Sequence, residues 1–266
     1  MKKIGLYLTS LCLSIVFLTS CMKGSNVWEG LVLGVVGYNK TFTPVIHTSS
    51  FGDLYSPSLN SGELFDGDCG IFYVRIDSDL PENSSAAIAS YGFQTITILN
   101  QLKLSKYELQ YVFTDTSKVL ANEVPIVKPY SDFFDYIDGI FFMGHVVNIP
   151  NDYVLTWELS YDSNTMMPTI ENGTRYYDLY LRAMVTKEGT QTSKTDIEFT
   201  NAYFLKYYFR NAAIIEKNIL GTSYSETGSK FTVRINYPSS IDTSTNTIKW
   251  SSSQLDNIFY VASFLD

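Results

Sequence analysis

The 266-residue chain carries a formal charge of −8, with 45% hydrophobic and 15% aromatic residues against 17% charged ones. This acidic balance argues against a nucleic-acid binder, which needs a basic footprint, and against electrostatic attraction to anionic lipid. The many tyrosines and phenylalanines suit a pleated β-surface better than a helix.

The first twenty residues are read as a signal. Lys2 and Lys3 open it, Ile4 to Phe17 form an apolar run, and Leu18-Thr19-Ser20 lead into Cys21. A positive start, a short apolar core and small residues before a cut mark a secretory segment. The pattern resembles the lipobox of bacterial lipoproteins. There the cysteine thiol takes a diacylglycerol, the peptide before it is cut and the new amine is acylated. The resemblance makes Cys21 the lipidation site and first mature residue. The apolar run is shorter than the ~20 residues of a membrane span. Several acyl chains on one residue exceed what stable anchoring requires. Losing Lys2 and Lys3 takes the charge from −8 to −10, so the acyl chains must do the anchoring. Cys12 leaves with the signal, and Cys69 then has no partner for a disulfide.

Residues 21–26 form a short polar tether, and the folded part follows. Leu31–Val36 is a nearly continuous apolar run and Thr43–His47 a second strand, with turns at Gly52-Asp53 and Asp66-Gly67-Asp68. Gly70–Asp77 alternates, with Phe72, Val74 and Ile76 on one face. Phe93–Leu99 and Leu104–Phe113 complete five strands with irregular connections, which fits a small OB-type barrel. Thr114–Pro129 changes character and reads as a linker, which limited proteolysis should cut first.

The second half has stricter alternation. Tyr153, Leu155, Trp157, Leu159 and Tyr161 share one face, and Ile140–Ile149 should pair with them as a hairpin through Pro150-Asn151-Asp152. Tyr177, Leu179, Leu181, Ala183 and Val185 face inward with Asp178, Tyr180 and Arg182 outside. Phe231, Val233, Ile235 and Tyr237 repeat the pattern, with Thr232, Arg234 and Asn236 outside. Thr247–Trp250 and Ile258–Phe264 follow. Residues 199–220 fit helix or strand equally. The fold expected is all-β: an OB-like barrel over 27–118, then an antiparallel β-sandwich over 119–266.

This order of elements resembles the NigD-like lipoproteins. The resemblance is carried by the lipobox, Gly30-Leu31-Val32-Leu33, Thr48–Leu54 into Tyr55-Ser56-Pro57, and Phe65-Asp66-Gly67. In the second half it is carried by Trp157–Tyr161, Tyr177–Ala183 and Phe231–Tyr237. One departure is Cys69-Gly70, where the family has a basic residue. The resemblance implies an N-terminal OB-type domain and a C-terminal β-sandwich. It also brings an association with bacteriocin immunity, and no catalytic residue.

Candidates for chemistry are sparse. Cys69 with His47 or His145 is the only Cys–His combination in the mature chain, and nothing in the spacing unites them. These three are too scattered for zinc. Asp132, Asp135 and Asp138, or Asp53, Asp66 and Asp68, lack the order of a calcium loop. Tyr176, Tyr180, Tyr207 and Tyr208 could make a sugar-stacking surface. The Asn39, Asn83 and Asn172 sequons read as turn chemistry. The expectation is a non-enzymatic lipoprotein of the outer membrane, without cofactor, that binds a protein or glycan and no nucleic acid. The alternatives are a glycan-binding accessory of a surface uptake system, or an envelope hydrolase with two facing carboxylates.

Overall fold

The structure, a computed structural model, describes residues 26–110, 115–163 and 166–265. The expected signal segment and Cys21 lie outside them. The chain divides into two compact units, residues 1–106 with 135–142, and residues 107–134 with 143–266. The sequence reading put the boundary at 118/119.

The first unit holds β1 (Val27–Tyr38), β2 (Pro44–Thr48), β3 (Gly52–Tyr55), β4 (Cys69–Asp77), β5 (Gln94–Thr95) and β6 (Thr97–Lys103) in one sheet, ordered β5-β3-β2-β1-β4-β6. β1 runs antiparallel to β2 at its end and to β4 along its length, with Val32 opposite Phe72 and Gly30 opposite Val74. This register puts alternate residues of both strands into one core. Val32, Val36, Ile46, Leu54, Phe72, Val74, Ile76 and Ile96 fill it. A helix over Ser85–Tyr91 follows the loop at Pro81, N-capped by Ser84 and ended by Gly92 at φ 76°. The sequence reading missed this helix because it is short and buries no residue.

The second unit holds β7 (Lys106–Glu108), β8 (Glu123–Val124), β9 (Ile126–Ile137), β10 (Ile140–Ile149), β11 (Val154–Ser160), β12 (Thr169–Glu171), β13 (Thr174–Lys187), β14 (Thr195–Phe204), β15 (Lys230–Asp242) and β16 (Thr247–Tyr260). Lys106 and the 135–142 tip of the β9–β10 hairpin belong to the first unit. One sheet is ordered β7-β14-β10-β9 and the other β11-β13-β15-β16, with β8 and β12 paired to β13. The two sheets meet through aromatic side chains. His145 of β10 stacks on Trp157 of β11, whose ring also meets Phe199 of β14. The mostly β fold agrees with the expectation. β13–β15 and β3–β5 pair in parallel.

Three expectations change. β10 and β11 do not form a hairpin; Pro150-Asn151-Asp152 carries the chain from one sheet to the other. Residues 247–260 are one strand. The ambiguous segment 199–220 is both things in turn: β14 ends at Phe204 and a helix spans Lys206–Leu220. That helix buries Tyr208, Phe209, Ala212, Ala213 and Glu216, a helical spacing. Phe209 packs on Phe231, Phe259 and Phe264.

Candidate binding surface

The residues proposed for chemistry are dispersed and occupied. Cys69 is 2% exposed, not partly exposed as its place at a strand start suggests. It is flanked on both sides, by Val35 of β1 and by Leu104, whose N–H donates to the Cys69 carbonyl. Burial pushes the thiol pKa up, with Asp68 adding to the rise and Lys106 and Lys103 opposing it. It sits at an open recess of about 490 Å³ lined also by Asp66, Gly67 and Lys103–Lys106, where Lys103 is already paired with Asp68 at 2.7 Å. The thiol is therefore not activated.

His47 Nδ1 lies 2.7 Å from Asp53, and its ring packs over backbone: a Cβ on Gly37 would come within 2.6 Å of Nε2. His145 is fully buried and bonds Tyr203 at 3.0 Å. Burial holds its pKa down to about 3, so the imidazole is neutral at physiological pH. Asp135 accepts from Ser49, and Asp138 occupies a hairpin turn at φ 47°. The side chain of Asp132 lies outside the described residues. Among the described residues no group of three or more His, Cys, Asp or Glu is placed to hold a metal ion.

The proposed tyrosine surface does not form. Tyr208 is in the core, and Tyr176 is buried under the Arg234 guanidinium, 4.6 Å from its ring centroid. Arg234 is in turn held by Asp178 at 2.6 and 3.0 Å and by Glu171 at 2.8 Å. These polar groups satisfy one another.

Sequence reasoning also missed a buried charge. Arg182, placed on the outer face by alternation, is 0% exposed. Residues 115–124 lie across that face. Arg182 donates to the Asp115 carbonyl at 2.9 Å, the Lys118 carbonyl at 3.1 Å and Glu123 at 3.1 Å. Trp250 donates to the Thr116 carbonyl at 2.9 Å. The stretch read as a linker is thus fastened to the sheet over residues 115–124. Likewise Glu216 is buried against Arg175 and the Tyr177 hydroxyl.

What does stand out to solvent is the β1–β2 loop of the first unit. Phe42 is 86% exposed and holds φ 59°, a left-handed conformation that costs a phenylalanine about 1–2 kcal/mol. The loop is fixed by Asn39. Its Oδ1 accepts from Thr41 N, Thr41 Oγ1 and Thr43 N at 2.8–3.0 Å, and its Nδ2 donates to the Tyr91 carbonyl at 3.1 Å. Asn39, read as turn chemistry, thus ties the loop to the end of the short helix. Tyr91 stacks on Phe93 and Phe93 meets Tyr55, at 5.7 and 4.9 Å between centroids. Tyr38 and Tyr91 are also exposed. A rigid loop that bears a strained, solvated phenylalanine is an arrangement found where strain serves function. The same loop of OB barrels is a recurrent ligand-binding element.

Residues 24–102 match the family model described as "Lipoprotein OB domain". A comparison with curated proteins finds no match. Among solved structures, an uncharacterized protein from Parabacteroides merdae is 21% identical, with a TM-score of 0.70 over 87% of this chain and 99% of that one. A candidate lipoprotein from Bacteroides fragilis is 12% identical, with a TM-score of 0.54 over 88% and 98%. A NigD-like immunity protein from Bacteroides caccae is 11% identical, with a TM-score of 0.41 over 86% and 93%.

The first unit thus matches a lipoprotein OB domain over residues 24–102, and a mostly β second unit follows it. The match of residues 24–102 agrees with the N-terminal OB-type domain that the NigD-like resemblance implies.

Proposed function

We propose that this chain is a lipoprotein anchored in the outer membrane through acyl chains on Cys21, and that it binds a protein partner through the β1–β2 loop. The observation that carries the reading is Phe42, solvated and strained on a loop fixed by Asn39. Exposed aromatics on a rigid frame are the residues from which interface hot spots are built. The immunity association brought by the family resemblance is one form of such partner binding. An enzymatic role has little support: Cys69 is buried with a raised pKa, and His145 is neutral within the core.

The anchor and the loop lie at opposite ends of one strand. β1 has 12 residues, about 35–40 Å at the usual rise per residue. A chain tethered at the start of β1 therefore presents Phe42 away from the tether. The test is a photo-reactive residue placed at position 42 in intact cells. The reading expects one discrete protein adduct at 42 and none from the same group at Lys187, an exposed position of the second unit. Equal labelling at both positions would contradict it.

A further inference from the structure

At the tether end of β1 the first unit carries a second aromatic surface. Trp28 is 39% exposed and Phe51, from the β2–β3 turn, 38%. Their ring centroids are 4.7 Å apart at 46°. The indole is seated in a fixed place, across Gly30, where an added Cβ would come within 2.4 Å of it. The chain arrives beside this surface in a fixed position too. The Asn26 carbonyl accepts from Ser78 N at 2.9 Å, and its side chain donates to Asp79 at 2.6 Å. Exposed Leu80 follows in that loop.

We propose that the Trp28–Phe51 face rests on the lipid bilayer, with its rings at headgroup level. The proposal rests on lipidation of Cys21. Four residues lie between Cys21 and Asn26, so the five chain steps can span at most about 18 Å. Whatever lies at the end of so short a tether is met at high effective concentration, and here that is the bilayer surface. Tryptophan is the side chain favoured at such a boundary, with an apolar body and a polar N–H. The carboxylates of Asp77, Asp79 and Glu82 belong to the same loop region, so the seat does not draw on anionic lipid. It uses apolar contact with zwitterionic headgroups and upper acyl chain.

The test uses the full lipidated chain in phosphatidylcholine vesicles, with tryptophan emission read against Trp28→Phe to isolate Trp28 from Trp157 and Trp250. The mass of the acylated Cys21 peptide is measured on the same sample. The expected result is a blue-shifted Trp28 component that is lost when the lipids carry bromine near the top of the acyl chain, and that is not strengthened by phosphatidylglycerol. Acylated protein whose Trp28 emission matches that of the soluble Cys21→Ser chain, unquenched, would overturn the bilayer seat and leave the anchor standing. Absence of the acyl mass would overturn both.

Discussion

Arg182 and Glu123 form an ion pair at 3.1 Å with both side chains 0% exposed. Glu158 stands opposite Arg182 on β11; burial raises the Glu123 pKa, opposed by the Leu120 N–H and by Arg182, with Glu158 adding to the rise. Arg182 Nε and Glu123 Oε1 lack hydrogen-bond partners, so desolvation is incompletely offset. Such a pair adds little net stability over apolar residues, yet removing one partner is costly.

Arg182→Met alone should therefore destabilise the protein by about 3–5 kcal/mol. Arg182→Met with Glu123→Leu should recover a large part of that loss. Chemical denaturation of the three proteins measures it. The same single variant should expose residues 115–124 to protease while the native protein resists cutting there, since three of the bonds that hold this segment end on Arg182.

Why Arg182 escaped a reading of the sequence is instructive. Alternation sorted Leu179, Leu181 and Ala183 from Asp178, Tyr180 and Arg182, and the inner set is indeed buried. Period-two patterning tells which residues share a face. It does not tell that residues 115–124 cross the other face. The same limit applies to Pro150-Asn151-Asp152, which reads as a turn whether the next strand joins the same sheet or its neighbour. Phe72, Val74 and Ile76, and Phe231, Val233 and Ile235, were legible because one buried face dominates their strands. Phe42 was not, because Thr41-Phe42-Thr43 looks like the start of the next strand. Its exposure and positive φ come from the Asn39 bonds, which composition does not announce.

His145 gives a pH dependence with a defined sign. Burial depresses its folded-state pKa to about 3, against roughly 6.5 in the unfolded chain. Its contribution to stability is therefore present above pH 6.5 and is lost as pH falls toward 3, at up to about 1.4 kcal/mol per unit. His145→Phe, which keeps an aromatic ring against Trp157, removes this proton uptake. The gap in unfolding free energy between native and variant should shift in favour of the variant from pH 6 to pH 4. A constant gap would show that His145 charges freely.

Phe42 separates stability from binding. Phe42→Gly removes the left-handed strain and a side chain that is almost wholly solvated. Stability should hold or rise, by up to about 1 kcal/mol, while the photo-adduct of the loop, read from a reactive group at Tyr91, falls sharply. Asn39→Ala should cost about 1–2 kcal/mol through the lost bonds to Thr41, Thr43 and Tyr91, and weaken the same adduct. Thermal melts and adduct yields measured on the two variants give both quantities.

Cys69→Ser puts a hydroxyl where a 2%-exposed thiol packs. It should destabilise by about 1–2 kcal/mol, since Leu104 O, 3.9 Å from the sulfur, offers one acceptor. Thiol labelling of the native protein should be slow at pH 7 and accelerate on adding denaturant. Rapid labelling in the native state would mean that the recess beside Lys103 and Lys106 opens.

The central claim is that the chain is held at the envelope by its lipidated Cys21, and the mass of the N-terminal peptide of protein purified from membranes tests it most directly. The account predicts a chain that begins at Cys21 with acyl chains on its sulfur and amine, and a Cys21→Ala variant that leaves the membrane fraction or keeps residues 1–20. A native protein whose residue 21 carries a free thiol, or that stays in the membrane as Cys21→Ala after loss of residues 1–20, would contradict it.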